Sequence, residues 1–252
     1  MQTSKRKIPL SMRMQAILAM LRREKEAHGK IACVADIGCD HAFVSMSCIA
    51  ESLADHVIAM DVRKGPLAIA QTHIQEYGFD KSVETRISDG FERLDMWEAD
   101  WAVLAGMGGE LMRGILMRGR KHLEAGIGLI LQPQSEPQTV RRYLQEQGYI
   151  IVDEDFLQED GKFYTIIKAI KKQPQQPCMN MQPVEMLYGP VLLHKENKTY
   201  NTYLQLEEKK MQELRERLVK QQTASSQRRI KELDTQLNLL GEAIGLYSND
   251  AK

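Results

Sequence analysis

The sequence predicts an α/β protein: a mostly parallel sheet of seven strands that ends in an antiparallel hairpin, followed by a separate pair of long helices. Three observations predict it. Between residues 31 and 170 five short apolar runs alternate with helix-like stretches, which is the pattern of parallel βαβ units. Two further strand-like runs flank Asp160-Gly161, a pair suited to a tight hairpin turn. Beyond a Gln- and Pro-rich stretch, Leu, Met and Ile recur at heptad-like spacing.

The elements follow in order. A basic N-terminal helix precedes IACVADIG (31–38), the first buried strand. Residues 41–54 form a helix and 56–61 the second strand. Residues 65–78 form the next helix, with Pro66 suited to its first turn and Gly78 to its C-terminal cap. Strands three and four are 83–89 and 101–108. One helix is expected over 109–126, although Gly114 weakens it. Strand five is 126–133, a helix runs from Pro137 to Gly148, and YIIVDEDFLQED and GKFYTIIKAIKK make the hairpin. Five parallel strands closed by such a hairpin match the Rossmann-like seven-stranded sheet of the class I S-adenosylmethionine (SAM)-dependent methyltransferases. The ordinary dinucleotide-binding fold has no reason to end in that hairpin. The expected organisation is a catalytic domain over 1–170, a linker over 171–186 and a helical domain over 187–252. In the last, Leu204, Met211, Leu214 and Leu218 pair with Ile230, Leu233, Leu237, Leu240 and Ile244 across a polar turn at 221–227, as a coiled-coil-type hairpin.

Composition sets outer bounds. The chain has 252 residues, 43% hydrophobic and 27% charged. No apolar stretch approaches the roughly 20 residues that cross a bilayer. The basic N-terminus lacks the apolar core of a signal peptide, so a cytoplasmic location is expected. Cys33, Cys39, Cys48 and Cys178 form no CxxC pair, and no metal is expected. The net charge is zero, but residues 1–30 carry +6, 31–170 carry −9 and 171–252 carry +3. Basic ends around an acidic middle suit a polyanionic partner.

Ligands of an open parallel sheet bind beyond the carboxyl ends of its strands. Here the first strand ends in Asp36-Ile37-Gly38-Cys39-Asp40-His41, the second in Asp61, the third in Ser88-Asp89-Gly90 and the fourth in Gly106-Met107-Gly108-Gly109. Gly38 lets backbone approach a ligand closely. Asp61 can accept from two ribose hydroxyls, and Asp89 from the exocyclic amine of adenine. Acids and glycines end many strands, and each of these alone also reads as a cap or turn former. Together, in order on consecutive strands, they specify a nucleoside cofactor. The first loop selects which one. A pyrophosphate needs uncluttered amides and is repelled by a carboxylate, yet Asp40 stands where a second glycine would. SAM has no phosphate and carries a sulfonium and an ammonium. The expected cofactor residues are Asp36, Gly38, Cys39, Asp61, Val62, Asp89, Gly90, Gly106, Met107 and Gly108.

The segments ADIGCDHAF, DVRKGPLAIA, SDG, AGMGGELM and LILQP, with a helical C-terminus introduced by YGPVLLHKEN, resemble the bacterial tRNA (adenine-22 N1)-methyltransferase family over about residues 8–248. The resemblance implies SAM-dependent methylation of N1 of a tRNA adenine, and a coiled-coil-like domain that helps hold the tRNA. It places the loop acid and imidazole on Asp40 and His41 as catalytic residues. Members often have Ser or Thr at Cys39, Tyr at Phe43 and Glu at Asp61. Asp61 is one methylene shorter than Glu, which alters its ribose contact. Candidate tRNA contacts are Lys5, Arg6, Lys7, Arg13, Arg22, Arg23 and Gly109, and Lys209, Lys210, Arg228 and Arg229 on the hairpin. A monomer acting on tRNA, without metal or membrane, is the expected working form. Three other readings compete: a dehydrogenase, which the missing glycines oppose; a metal hydrolase using Asp36, Asp40, His41, Asp61 and Asp89; and a non-catalytic RNA-binding module whose hairpin docks a protein.

Overall fold

The computed structural model describes residues 7–176, 179–221 and 223–250. Lys5, Arg6 and Cys178 lie outside the described residues. The fold is a seven-stranded sheet in the order β3-β2-β1-β4-β5-β7-β6. Its strands are β1 (Ile31–Ile37), β2 (Ala54–Asp61), β3 (Val83–Ile87), β4 (Trp101–Met107), β5 (Gly128–Pro133), β6 (Tyr149–Glu159) and β7 (Lys162–Lys171). The pairs β1–β2, β1–β4, β2–β3 and β4–β5 are parallel, and β5–β7 is antiparallel. The chain walks outward from β1 to β3, then returns to the other side of β1. That reversal opens a crevice at the carboxyl ends of β1 and β4. Asp160 (φ 50°) and Gly161 (φ 74°) both take the left-handed conformation at the β6–β7 turn, as a two-residue hairpin requires.

Helix α1 (Met12–His28) starts at Ser11, whose hydroxyl accepts from Met14 N at 3.3 Å. It buries Ile17, Leu18, Met20 and Leu21 and is tied down by ion pairs from Arg22 to Glu51, from Arg23 to Asp153 (2.8 Å) and from Glu24 to Lys168 (2.6 Å). The basic N-terminal helix is therefore packed onto α2 and the sheet, and Arg22 and Arg23 already have carboxylate partners. Helix α2 (Phe43–Ala50) starts two residues later than its pattern predicts, because Asp40 (φ 49°) and Ala42 (φ 57°) stand in the left-handed region ahead of it. Helix α3 (Lys64–Tyr77) ends on Gly78 at φ 76°, as expected.

The single helix expected over 109–126 is two: α4 (Gly109–Arg118) and α5 (Arg120–Glu124). The break falls at Gly119, not at Gly114. A Cβ on Gly119 would sit 2.2 Å from the Phe91 ring, so the chain bends where Phe91 packs against its backbone. Helix α6 (Pro137–Glu146) is anchored to β6 by the fully buried pair Arg141–Glu154 at 2.8 Å.

Contacts divide the chain into two units, Met1–Asp155 with Tyr164–Met179, and Phe156–Phe163 with Asn180–Lys252. The second contains α7 (Pro183–Tyr188), a 3-10 turn at Leu192–His194, α8 (Lys198–Gln221) and α9 (Ala224–Asp250). Helix α7 begins inside the stretch expected to be linker, because Val184 is buried. The core of this unit is Phe156, Val184, Leu192, Leu193, Tyr200, Leu204, Leu240, Ala243 and Tyr247. Asn197 organises it: its side chain accepts from Tyr200 N (3.0 Å) and donates to Phe156 O (2.8 Å), and its N–H donates to Tyr247 Oη (2.7 Å). Of the heptad positions, Leu204, Leu233 and Leu240 are buried and the others half-buried, and Leu204 and Leu240 owe their burial also to Phe156, Val184, Leu192 and Leu193.

Candidate active site

The first unit holds a cavity of about 700 Å³ at the crevice predicted by the strand order. It is lined by Asp36, Gly38, Cys39, Asp40 and His41 from the first loop, Asp61, Val62 and Arg63 after β2, Asp89 and Gly90 after β3, and Gly106 and Met107 after β4. A wider groove along residues 7–22 has Glu51 as its one acid, and Arg22 pairs with that acid. Chemistry therefore places the site in the smaller cavity.

The first loop is bent by alternate left-handed residues, at Gly38 (φ 80°), Asp40 and Ala42. The N–H groups of Gly38 and Cys39 both donate to Met60 O, at 2.8 and 2.9 Å, which holds the turn against the end of β2. Gly38 is needed for its φ, and a Cβ there would also lie a tight 3.1 Å from the flexible Met107 Cε. Asp40 tolerates the left-handed conformation; Ala42 does so only under strain. Asp40 is exposed, with its carboxylate 3.6 Å from His41 Nε2 and 3.8 Å from Arg63 Nη2. The His41 ring packs against both Phe43 and His73, with centroids at 5.7 and 5.5 Å, and its buried Nδ1 has no hydrogen-bond partner among the described residues. His73 Nδ1 lies 3.3 Å from His41 O, and its ring stacks on Phe43 at 5.1 Å.

Asp36 and Asp61 are buried, at 5% and 4% exposure, on adjacent strand ends. Burial pushes the Asp36 carboxyl up to about 6, against the pull of the Ser45 hydroxyl and N–H that donate to it, with further upward pressure from Asp61. Asp61 accepts from Arg63 N at 2.8 Å and from Arg63 Nε at 3.3 Å. Asp89 accepts from Arg118 Nη2 at 2.9 Å. Burial holds the Cys39 thiol well above its ordinary value, so it stays neutral and packs the loop.

Two predicted residues fall elsewhere. Gly108 and Gly109 are not among the cavity's lining residues. A Cβ on Gly109 would sit 2.5 Å from Glu136 O and 2.7 Å from Ser135 O, so this glycine serves close packing of α4 on the β5–α6 loop rather than substrate entry. Gly109→Ala is accordingly expected to cost about 1–3 kcal/mol of stability, because a carbonyl cannot swing aside as a side chain can. A drop of several degrees in Tm checks it; an unchanged melt contradicts it. Of the basic residues, Arg13 lines the cavity and stacks over Tyr164 at 4.5 Å. Lys7, Lys209 and Arg228 are exposed, while Lys210 and Arg229 pair with Glu207 and Glu232.

Sequence reasoning missed Ser11 at the cap of α1, Met14 and Ile17 within it, Leu111 and Ile115 from α4, Gln132 in β5 and Gln134 after it, all of them lining residues. Arg63 could have been found, since it directly follows the Asp61 motif.

The residues present suit SAM. The space matches a nucleoside-sized ligand. Gly38 would admit backbone approach, and four carboxylates against Arg13 and Arg63 leave an acidic excess for a cationic group. Among the described residues no cluster of three or more His, Cys, Asp or Glu could hold a metal. Strand order, closing hairpin and strand-end acids together define a class I SAM-dependent methyltransferase.

Comparison with known proteins narrows this. The family profile for TrmK, tRNA (adenine(22)-N(1))-methyltransferase, matches residues 34–242. The tRNA (adenine(22)-N(1))-methyltransferase of Bacillus subtilis is 31% identical over 215 residues, covering 84% of this chain and 90% of that protein. The crystal structure of B. subtilis TrmK superposes with a TM-score of 0.79 at 28% identity, covering 94% of this chain and all of that one. A Streptococcus pneumoniae protein of the same fold, crystallised with SAM, is 24% identical with a TM-score of 0.79, covering 94% of this chain and 100% of that one. The chain belongs to the tRNA (adenine(22)-N(1))-methyltransferase family.

Proposed function

We propose that this chain methylates N1 of an adenine in tRNA, the family's position 22, using the cavity at the ends of β1–β4. The observation that carries it is the joint placement of Asp36, Gly38, Asp40, Asp61 and Asp89 around one crevice, in a chain of this family. SAM, when bound, supplies an electrophilic methyl group on a sulfonium. Asp36, Asp61, Asp89 and the Gly38 backbone hold it, with Cys39, Val62, Gly90, Gly106 and Met107 as walls. Adenine N1 already has a lone pair, so no base is needed before attack. Alignment is then the main contribution, worth about 7–11 kcal/mol at best. Asp40 accepts a hydrogen bond from the adenine exocyclic amine, which orients N1 and offsets the charge that grows on the ring. His41, packed against the stacked rings of Phe43 and His73, keeps the Asp40 turn in place.

N1 is normally hidden by pairing or stacking, so the tRNA must present the base. Arg13 at the cavity, Lys7 and the exposed hairpin residues Lys209 and Arg228 meet phosphates. Replacing Lys209 and Arg228 by Ala is expected to flatten the dependence of tRNA affinity on salt by up to about two units of log–log slope, with SAM affinity unchanged. An unaltered slope removes the hairpin from the interface. The substrate implies a cytoplasmic enzyme, and no helix among the described residues is long and apolar enough to cross a membrane. A catalytic unit, a helical tRNA-contacting unit and a monomeric working form complete the reading. The test is direct: methyl transfer from labelled SAM to tRNA, with the modified nucleotide mapped. Absence of transfer, or methylation of another atom, would sink it.

A further inference from the structure

We infer that Gln132 is a positioning residue for the substrate side of this site, acting through the kinked end of β4; the inference rests on the methyl-transfer reading above. The β4–β5 ladder pairs Ala105 with Gln132 and then Met107 with Pro133, which leaves Gly106 as an extra residue in a bulge. Gly106 takes φ 77°, a left-handed conformation that glycine tolerates. An extra residue in a ladder has no cross-strand carbonyl for its N–H. Gln132 Oε1 supplies the acceptor, 3.1 Å from Gly106 N, while Gln132 Nε2 donates to Pro133 O at 3.1 Å. The amide orientation is fixed by its partners: one can only donate and the other only accept. Gln132 is 1% exposed, yet it lines the cavity together with Gly106 and Met107.

A bulge re-aims the side chain beside it. Here that side chain is Met107, whose Cε lies 3.1 Å from where a Gly38 Cβ would be. A line of contact thus runs from Gln132 through the Gly106 bulge and Met107 to the turn that carries Asp40. Gln132 touches none of the expected reacting atoms. Its carboxamide fixes where the β4 floor and the first loop stand relative to one another, and so where the incoming base must sit.

The experiment compares Gln132→Met, which keeps size and loses both hydrogen bonds, with Gln132→Glu, in the full chain. Gln132→Met is expected to lose amide-exchange protection at Gly106 and to lower kcat on tRNA by about 10-fold or more, since a small misplacement is enough. Calorimetric affinity for S-adenosylhomocysteine is expected to fall several-fold less than turnover, because Gly106 and Met107 only wall the cofactor while the Gly38 turn keeps its own bonds to Met60 O. In Gln132→Glu, burial favours the protonated carboxyl, which can both accept from Gly106 and donate to Pro133. Near pH 6, relative to wild type at the same pH, this variant is expected to regain protection and most of the turnover, and to lose both as pH rises to about 9. Turnover of Gln132→Met within twofold of wild type overturns the inference, as does a Gln132→Glu variant no better than Gln132→Met at pH 6. If Gln132→Met does not fold, the Gln132→Glu variant decides alone: turnover relative to wild type that does not fall between pH 6 and pH 9 overturns the inference. An inactive wild-type enzyme would instead refute the methyl-transfer reading, so the two failures are separable.

Discussion

Asp40→Asn is expected to reduce turnover on tRNA by about 10²-fold or more while SAM affinity changes little, a loss of about 2.7 kcal/mol of transition-state stabilisation. The substitution is chosen for backbone as well as charge. Asp40 stands at φ 49°, a conformation that Asn shares readily and Ala resists. Asp40→Ala would mix lost charge with added strain. Asn keeps the shape and one acceptor oxygen, and replaces the negative charge and the other acceptor by a neutral amide donor. Within the protein that charge makes only loose ion pairs, with His41 Nε2 at 3.6 Å and Arg63 Nη2 at 3.8 Å, both beyond a direct hydrogen bond. It stays available to a base amine that gains positive character during methyl transfer. Steady-state kinetics with tRNA and calorimetry with SAM check the split. Turnover within a few-fold of wild type would end the catalytic assignment. A matching loss of SAM affinity would move Asp40 to the cofactor side.

The sequence made the sheet legible because parallel strands at its centre are apolar on both faces. Residues such as Val34–Asp36 and Trp101–Leu104 read as continuous buried runs, and each acid or glycine that follows marks a carboxyl end. The same logic made Asp36, Gly38, Asp40, Asp61 and Asp89 legible, since topology alone brings consecutive strand ends together. What stayed hidden depends on contacts between distant residues. The break at Gly119 comes from Phe91, which no local pattern connects to it. Gly109 reads as part of a substrate loop until the carbonyls of Ser135 and Glu136 are seen against it. Gln132 lies within a run read as a strand, and only the register shift opposite it gives its amide a purpose. The tip of the β6–β7 hairpin reads as plain strand, yet Phe156 is core to the C-terminal unit.

Asp36→Asn should move stability and binding in opposite directions. The wild-type carboxyl is buried, its level pushed up to about 6 first by desolvation, with Ser45 only partly offsetting this and Asp61 adding to it. In the unfolded chain the group titrates near the ordinary carboxylate value, about 4. Between those limits the folded protein binds the proton more tightly, so the stability contributed at this position is full at low pH and is lost as pH rises from about 4 through about 6. Two pH units correspond to about 3 kcal/mol as a ceiling. The amide never ionises and never incurs that loss. Without cofactor, the variant is therefore expected to melt at the same temperature as wild type near pH 4 and several degrees higher at pH 8, about 2–4 °C per kcal/mol for a chain of this size. The other titrating groups are common to both proteins, so the difference between the two melting curves isolates position 36. A cationic ligand reverses the balance, because it meets in the carboxylate the charge that burial had made costly. SAM affinity of the variant should fall about 10-fold or more near neutral pH. Parallel melting curves would show that the folded carboxyl titrates at its ordinary value, and undiminished affinity would show that the cofactor's charge is met elsewhere.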